Sequence, residues 1–312
     1  MSVTVFFAAG ADLWPDYEGP IRRHAAAAGL DMALTDRAAD PEAVDVIVTA
    51  PSGLVQDYTP YRNARLVQNL WAGVEKLVAN PTLTQPLCRM VDPAMTESMV
   101  EYVVGHVLRH HLALDLHVLG QDGTWRHEAV PPLARNRRVT VLGLGELGAA
   151  AARALAALNF PVTGWSRSEK DIAGITCLAG PNGLITALER AEILVTLVPN
   201  TPETENLLNA ERLALMPEGA AIVNPGRGTL IDDDALLAAL DAGRIGHATL
   251  DVFRVEPLPA DHRYWAHPRV TVTPHIAAAT HPDTASEVVV ENIRRLVAEE
   301  PFLHRVDRAR GY

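Results

Sequence analysis

The sequence has very few cysteines. Only Cys88 and Cys177 are present among 312 residues, and they do not form a CxxC pair. This scarcity argues against both a disulfide framework and a zinc site built from thiolates. Basic residues are also in the minority, since 27 Lys and Arg stand against 38 Asp and Glu, for a formal net charge of −11. Sequence-independent binding to nucleic acid needs a basic face, so that class of function is not expected.

Long apolar runs are missing as well. No run approaches the ~20 residues that span a bilayer, and the start of the chain shows no basic segment followed by an apolar one. We therefore expect no membrane segment and no secretory leader, and hence a soluble, cytoplasmic protein. The composition, 48% hydrophobic and 21% charged residues, is typical of a globular protein. At about 150 residues per domain, the length indicates two domains.

Short apolar runs alternate with helical stretches along most of the chain. The first ~95 residues show this alternation without a glycine-rich turn, which favours a small flavodoxin-like domain. A long helical stretch is predicted over Glu97–His117, and a second alternation of strands and helices starts at Arg138. Strands separated by helices imply parallel sheets covered on both faces. We therefore predict an α/β protein with two doubly wound domains of Rossmann or flavodoxin type.

The most specific local pattern is a GxGxxG run that ends an apolar strand and opens an alanine-rich helix. Its glycines are Gly143, Gly145 and Gly148, with Glu146 and Leu147 between the last two. The first glycine permits a tight turn, the second lets the backbone approach a pyrophosphate, and the third allows close packing of helix on strand. Free N–H groups at the helix start would face the phosphates. This context predicts a dinucleotide site.

The end of the next strand discriminates between the two nicotinamide cofactors. An acidic residue about 20 positions after the fingerprint would bind the ribose hydroxyl of NAD. The sequence instead has Ser166-Arg167-Ser168 there and no carboxylate. A hydroxyl and a guanidinium favour a 2′-phosphate. We therefore predict NADPH as the preferred cofactor, with NADH as the alternative.

Three polar residues follow later predicted strands, where apolar sequence would otherwise continue. They are Arg227, Glu256 and His275. The carboxyl ends of parallel strands converge on the edge of the sheet where ligands bind. A cation, a carboxylate and an imidazole brought together there would form an acid–base site for an anion. Each residue taken singly has a structural explanation, as a surface arginine, a loop glutamate and a capping histidine.

Several motifs together resemble one enzyme family. They are Pro199-Asn-Thr-Pro-Glu-Thr204, Asn224-Pro-Gly-Arg-Gly228, Leu250-Asp-Val-Phe253, Glu256-Pro-Leu-Pro259 and Thr273-Pro-His275. The chain resembles the D-isomer-specific 2-hydroxyacid dehydrogenases over its whole length. Further stretches are similar to the glyoxylate/hydroxypyruvate reductase A subgroup: Leu70-Trp-Ala-Gly-Val74, Asp92-Pro-Ala-Met95, Trp165-Ser-Arg-Ser168 and Val306-Asp-Arg-Ala-Arg-Gly-Tyr312.

The resemblance implies a role for each matching residue. Arg227, Glu256 and His275 would be catalytic, and the substrate would contact Arg227 and the loop Trp71-Ala72-Gly73. The implied cofactor-binding residues are Gly143, Gly145, Glu146, Leu147, Gly148, Ser166, Arg167, Ser168, Pro199, Thr204, Pro225, Gly226 and Asp251. Residues 1–96 with 284–312 would form the substrate-binding domain and residues 97–283 the dinucleotide-binding domain, with the active site in the cleft between them.

The resemblance also implies a reaction and a partner. We expect NADPH-dependent reduction of glyoxylate and hydroxypyruvate to glycolate and D-glycerate, with His275 as general acid. The alternatives are a broader reductase of phenylpyruvate-like 2-oxo acids and a dinucleotide-sensing regulatory protein. A homodimer is implied, in which Trp125 matches a tryptophan that reaches the neighbouring subunit in some relatives. His106 and His110 have a spacing that suits metal ligands, but no Glu lies between them, and we expect no metal.

Overall fold

The computed structural model describes residues 2–37, 40–309 and 311. The chain divides into two compact units, Met1–Met95 with Ala279–Tyr312 and Thr96–Ala278. Which unit binds the substrate and which binds the cofactor stays a prediction.

The first unit contains a parallel sheet with the strand order β2-β1-β3-β4-β5. Its strands are β1 Val3–Phe7, β2 Met32–Thr35, β3 Val46–Thr49, β4 Leu66–Asn69 and β5 Leu87–Cys88. Its helices are α1 Trp14–Ala27, α2 Glu75–Val78 and α9 Pro282–Val297. This order is the flavodoxin-like one, so the predicted fold class of this part is confirmed.

The second unit contains a parallel sheet in the order β12-β11-β10-β9-β6-β7-β8. Its strands are β6 Val139–Leu142, β7 Val162–Ser166, β8 Thr176–Ala179, β9 Ile193–Thr196, β10 Ala220–Asn224, β11 Ile245–Leu250 and β12 Val270–Val272. Helix α3 Pro93–His111 crosses the boundary between the units, and the others are α4 Leu114–Val118, α5 Glu146–Ala157, α6 Gly180–Arg190, α7 Ala210–Leu215 and α8 Asp233–Asp241. The strand order reverses at β6, as in a Rossmann fold.

The central strands of this second sheet are buried on both faces. In β6, Val139 and Val141 pack into one apolar cluster and Leu142 into the other. In β9, Ile193 and Leu194 divide between the same two clusters. Because successive side chains of a strand point to opposite faces, near-continuous apolar strands require cover on both sides. The helices provide that cover, which confirms the doubly wound prediction.

One helix differs from the sequence prediction. The stretch expected as one helix over Glu97–His117 forms α3 and α4, interrupted at Ala113, whose φ of 51° is left-handed. A non-glycine residue in that conformation does not continue a right-handed helix. At the start of the chain, Pro15 suits the first turn of α1. None of the helices in the described parts of the chain is long and apolar enough to cross a bilayer.

Candidate active site

The three candidate catalytic residues follow three neighbouring strands. Strand β11 lies between β10 and β12, and Leu250 pairs with both Asn224 and Val272 at the carboxyl ends of these strands. Arg227, Glu256 and His275 each follow one of these ends. The fold therefore places their chain segments at one edge of the sheet, as the sequence predicted.

Glu256 and His275 form a direct pair. Glu256 Oε2 lies 2.7 Å from His275 Nδ1, and Oε1 accepts a 2.8 Å hydrogen bond from the N–H of Phe253. The carboxylate is thus fixed by the backbone on one side and by the imidazole on the other. The two side chains are 35% and 55% exposed, so solvent and ligands can reach them. A ring that donates Nδ1–H to a carboxylate keeps Nε2 as the atom that exchanges a proton with a ligand.

The turn that carries Arg227 is shaped by a buried asparagine. Asn224 Nδ2 donates to the carbonyl of Arg227 at 3.0 Å, and Asn224 Oδ1 accepts from the N–H of Gly226 at 3.1 Å. The next residue, Gly228, lies directly against backbone, since a Cβ there would be 2.0 Å from the carbonyl carbon of Phe253. The Arg227 turn therefore packs on the segment whose N–H binds Glu256. Sequence reasoning did not identify Asn224, although a buried amide at a strand end is a usable signal.

The backbone at His275 is strained and held by Asp251. The φ of His275 is 55°, in the left-handed region that few non-glycine residues adopt. The His275 N–H donates to the Asp251 carbonyl at 2.8 Å. The Asp251 carboxylate, 1% exposed, accepts from the N–H groups of Ile276 and Ala277 at 2.9 Å each. Asp251, expected from the resemblance on the cofactor side, thus fixes the segment that presents the imidazole.

The glycine fingerprint lies where the strand order reverses, between β6 and β9. Gly143 has a φ of 102°, and a Cβ there would be 2.5 Å from the carbonyl oxygen of Leu197. A Cβ at Gly148 would be 1.7 Å from the carbonyl oxygen of Gly143. At Gly145, by contrast, nothing lies within 4 Å of the position of a Cβ. The two outer glycines therefore serve packing, while the middle one leaves open space beside the start of α5, which suits a pyrophosphate.

The other fingerprint positions differ in exposure. Glu146 is exposed in the first turn of α5 and Leu147 is half-buried, packing at the edge of an apolar cluster. The strand-end residues Pro225 and Gly226 are buried, and a Cβ at Gly226 would be 2.6 Å from the carbonyl oxygen of Thr196. Gly226 thus allows the Arg227 turn to approach strand β9.

The candidate 2′-phosphate site ends strand β7. Ser166 is half-buried and donates to the carbonyl of Ser168 at 2.7 Å, while Arg167 and Ser168 are exposed. The pKa of Glu203 is lowered, mainly by a hydrogen bond from Thr201 and also by the positive charge of Arg167. Arg167 thus acts electrostatically on the Pro199–Thr204 turn. Sequence reasoning did not single out Glu203.

The Pro199–Thr204 turn is closed by its own side chains. Thr204 Oγ1 donates to the carbonyl of Pro199 at 2.7 Å and accepts from the N–H of Thr201 at 2.8 Å. Because these hydrogen bonds close the turn, its surface is held in one shape, which suits the wall of a cofactor site.

In the first unit, the predicted substrate loop is held by a buried asparagine. Asn69 Nδ2 donates to the carbonyls of Trp71 and Gly73 at 2.7 and 2.8 Å. The N–H groups of Ala72 and Gly73 make no hydrogen bond to any described residue. These amides are therefore available to an anion such as a carboxylate. Trp71 is 44% exposed.

The described residues include no group of three or more His, Cys, Asp or Glu side chains arranged to hold a metal. His106 and His110 instead make separate contacts in the second unit. The His106 ring packs on Tyr102, and His110 Nε2 lies 3.0 Å from Thr249 Oγ1.

Comparison with known proteins identifies the family. Residues 103–277 match the model of the "D-isomer specific 2-hydroxyacid dehydrogenase, NAD binding domain". The chain belongs to the D-isomer-specific 2-hydroxyacid dehydrogenase family. It is thus an NAD(P)-dependent oxidoreductase, and the matched residues include the glycine fingerprint and all three strand-end side chains.

Solved structures of family members resemble the chain over its full length. A D-isomer-specific 2-hydroxyacid dehydrogenase from Xanthobacter autotrophicus Py2, in complex with NADPH and MES, is 42% identical with a TM-score of 0.93, and all of both chains is covered. An NADPH-dependent glyoxylate/hydroxypyruvate reductase from Sinorhizobium meliloti, in complex with NADP and sulfate, is 31% identical with a TM-score of 0.85, covering 100% of this chain and 99% of that one. A probable 2-hydroxyacid dehydrogenase from Rhizobium etli CFN 42, in complex with NADP, HEPES and L(+)-tartaric acid, is 27% identical with a TM-score of 0.85 and the same coverage.

Proposed function

We propose that this dehydrogenase reduces small 2-oxo acids, glyoxylate and hydroxypyruvate in particular, to glycolate and D-glycerate with NADPH. The observation that carries the proposal is the 2.7 Å contact between Glu256 and His275, beside the turn of Arg227. An imidazole backed by a carboxylate and accompanied by a guanidinium suits proton transfer to the carbonyl of an anion. The similarity to a reductase described as acting on glyoxylate and hydroxypyruvate, at 31% identity, supports the choice of substrates.

The chain's own residues would hold the cofactor at the two places described above. The open side of Gly145 and the first N–H groups of α5 would bind the pyrophosphate. Ser166, Arg167 and Ser168 would bind the 2′-phosphate. When bound, NADPH supplies the hydride that reduces the carbonyl carbon.

Each catalytic side chain would act on the oxygen atoms of the substrate. His275 donates a proton to the carbonyl oxygen as negative charge grows there, a role typically worth about 10²–10⁴-fold in rate. Glu256 orients the ring through its 2.7 Å contact with Nδ1. Arg227 binds the carboxylate and stabilises the developing charge. Since the chain has a formal net charge of −11, these local groups, and not the overall charge, must attract the anion.

Turnover of three substrates with two cofactors tests the proposal. We expect higher kcat/KM for glyoxylate and hydroxypyruvate than for phenylpyruvate, and for NADPH than for NADH. Higher kcat/KM for phenylpyruvate would favour the broader 2-oxo acid reductase. The absence of turnover on all three acids would refute the proposed substrates.

The cofactor preference has its own test. Replacing Arg167→Ala removes a charge-assisted hydrogen bond to a phosphate, so we expect the KM for NADPH to rise about tenfold or more. The KM for NADH should change less than twofold. The exposed Arg190, at the end of α6, supplies the matched control Arg190→Ala. A wild-type kcat/KM for NADH at or above that for NADPH would overturn the preference.

Trp71 is the residue that we propose as the wall limiting substrate size. Its large side chain is 44% exposed on the loop whose amides would bind the carboxylate. Trp71→Ala should raise kcat/KM for phenylpyruvate relative to glyoxylate. An unchanged substrate profile would show that selectivity originates elsewhere.

We also propose a homodimer formed through the segment that follows α3. This segment exposes several large apolar side chains, an arrangement that marks interaction surfaces. They are Leu114, Leu116, Val118, Leu119, Trp125, Val130 and Leu133. Trp125, 88% exposed, is the most accessible of them. Light scattering coupled to size exclusion should give twice the chain mass of 33.7 kDa, and a monomer would refute the proposal.

A cytoplasmic location completes the proposal. Neither Cys88 nor Cys177 forms a disulfide, as is usual for proteins in reducing compartments. Fractionation of cells that express the protein would test this location.

A further inference from the structure

We propose that Tyr102 is a positioning residue for the proton donor His275, acting through Thr273 and Asp251. The hydroxyl of Tyr102 lies 2.7 Å from Thr273 Oγ1, and Thr273 Oγ1 donates to Asp251 Oδ1 at 2.6 Å. Tyr102 belongs to α3, and Thr273 follows β12, 171 positions later in the sequence. The inference rests on the proposed role of His275.

The direction of these hydrogen bonds follows from the donors available. A threonine hydroxyl has one hydrogen, and an ionised carboxylate only accepts. Since Thr273 donates its hydrogen to Asp251, Tyr102 must be the donor to Thr273. Burial raises the pKa of Tyr102, and the negative charge of Asp251 raises it further, so the phenol keeps its proton.

The chain of hydrogen bonds ends on the backbone that carries His275. The Asp251 carboxylate accepts from Thr273 and from the N–H groups of Ile276 and Ala277. Those two residues follow His275, whose left-handed φ is unfavourable without support. A carboxylate held from one side by Thr273 keeps its oxygens aimed at both amides. By donating to Thr273, Tyr102 fixes the rotamer of Thr273, and Thr273 in turn holds the Asp251 carboxylate.

The ring and the hydroxyl of Tyr102 have separable roles. The ring packs against His106 with centroids 4.4 Å apart, a contact that phenylalanine would keep. Among the described residues, Thr273 is the hydrogen-bond partner of the hydroxyl. Tyr102→Phe therefore removes the hydrogen bond to Thr273 and keeps the packing against His106.

The hydrogen bonds from Tyr102 to Thr273 and from Thr273 to Asp251 form a relay, which steady-state kinetics test. We expect Tyr102→Phe to lower kcat for glyoxylate reduction about tenfold, since misplacing a reacting group by about 1 Å can cost 10²-fold and the displacement here is smaller. The KM for NADPH should stay within twofold. Thr273→Val should lower kcat similarly, whereas Thr273→Ser, which keeps the hydroxyl, should retain it within twofold.

A matched control separates positioning from general loss of stability. Tyr264 is a buried tyrosine of the second unit, and its hydroxyl donates to Asp233 Oδ1 at 2.9 Å. Tyr264→Phe should lower the thermal midpoint as much as Tyr102→Phe does, yet leave kcat within twofold. An equal fall in kcat for both variants would overturn the proposal.

The double variant provides the sharpest criterion. If Tyr102 acts only through Thr273, adding Tyr102→Phe to Thr273→Val causes no further fall in kcat. Two separate roles would instead multiply, to about a hundredfold fall, and that outcome would refute the relay.

Crystal structures give a readout that needs no activity. In the wild type we expect the two contacts from Asp251 to Ile276 and Ala277, and in Tyr102→Phe the loss of at least one beyond 3.5 Å. Identical geometry in both structures would refute the relay whatever the turnover. A wild type that reduces none of the 2-oxo acids would instead refute the proposed function.

Discussion

Replacing Glu256→Gln tests the proton-donating pair directly. Glutamine keeps the length of the side chain, and its amide oxygen can still accept from the N–H of Phe253, now 2.8 Å from the carboxylate. What it removes is the negative charge 2.7 Å from His275 Nδ1. The charge-assisted hydrogen bond to the ring becomes a neutral and weaker one. The variant should therefore reduce glyoxylate more slowly than the wild type.

The size of the loss follows from exposure and geometry. The two side chains are 35% and 55% exposed, and such ion pairs are usually worth about 0.2–1 kcal/mol. The short contact to an ionised group favours the upper end, about 1 kcal/mol. Since about 1.36 kcal/mol is tenfold in rate, kcat/KM for glyoxylate should fall roughly fivefold.

The assay is kcat/KM for glyoxylate reduction at fixed pH and constant ionic strength. Glu211→Gln is the control, because this exposed glutamate on α7 supplies the same change in net charge away from the pair. We expect kcat/KM of the control to stay within twofold of the wild type. An unchanged or higher kcat/KM in Glu256→Gln would refute the role given to the carboxylate.

Three further predictions address the guanidinium, the fingerprint and the buried imidazole. Arg227→Lys should lower kcat/KM by about 10²-fold or more, because a point charge cannot replace a bidentate fork, and near-normal turnover would discard the assignment. Gly148→Ala places a methyl group 1.7 Å from the carbonyl oxygen of Gly143, so titration of tryptophan fluorescence should show loss of NADPH binding; normal affinity would contradict this packing. The pKa of His110 is lowered to about 3 by burial first, and next by the neighbouring positive charges. The unfolded chain therefore takes up a proton at this site below pH ~6.5 while the folded protein does not, which costs about 2 kcal/mol of unfolding free energy by pH 5.0. About 0.4 kcal/mol of this cost is already present at pH 6.5, so urea unfolding of His110→Phe should show about 1.6 kcal/mol less loss than the wild type between pH 6.5 and 5.0. Equal losses in both proteins would refute the interpretation.

Edge strands have the weakest pattern in the sequence. β2, β5 and β8 all lie at sheet edges. β5 has only two residues, and β2 and β8 are largely half-exposed, so none shows a strong apolar run. Central strands such as β9 and β10 are buried along their length, so their apolar runs indicate strands from the sequence alone.

The sequence by itself determined the local chemistry of this protein. Turn geometry and strand burial leave a local pattern, so some features can be predicted from neighbours in the chain. They are the glycine fingerprint after an apolar strand, the absence of a carboxylate at Ser166–Ser168 and the three polar residues after strands. Only the tertiary structure brought Tyr102 to Thr273 and aimed the Asp251 carboxylate at the backbone beyond His275. Hydrogen bonds between side chains so distant in sequence depend on how helices and strands pack, and packing leaves no periodicity from which to predict them.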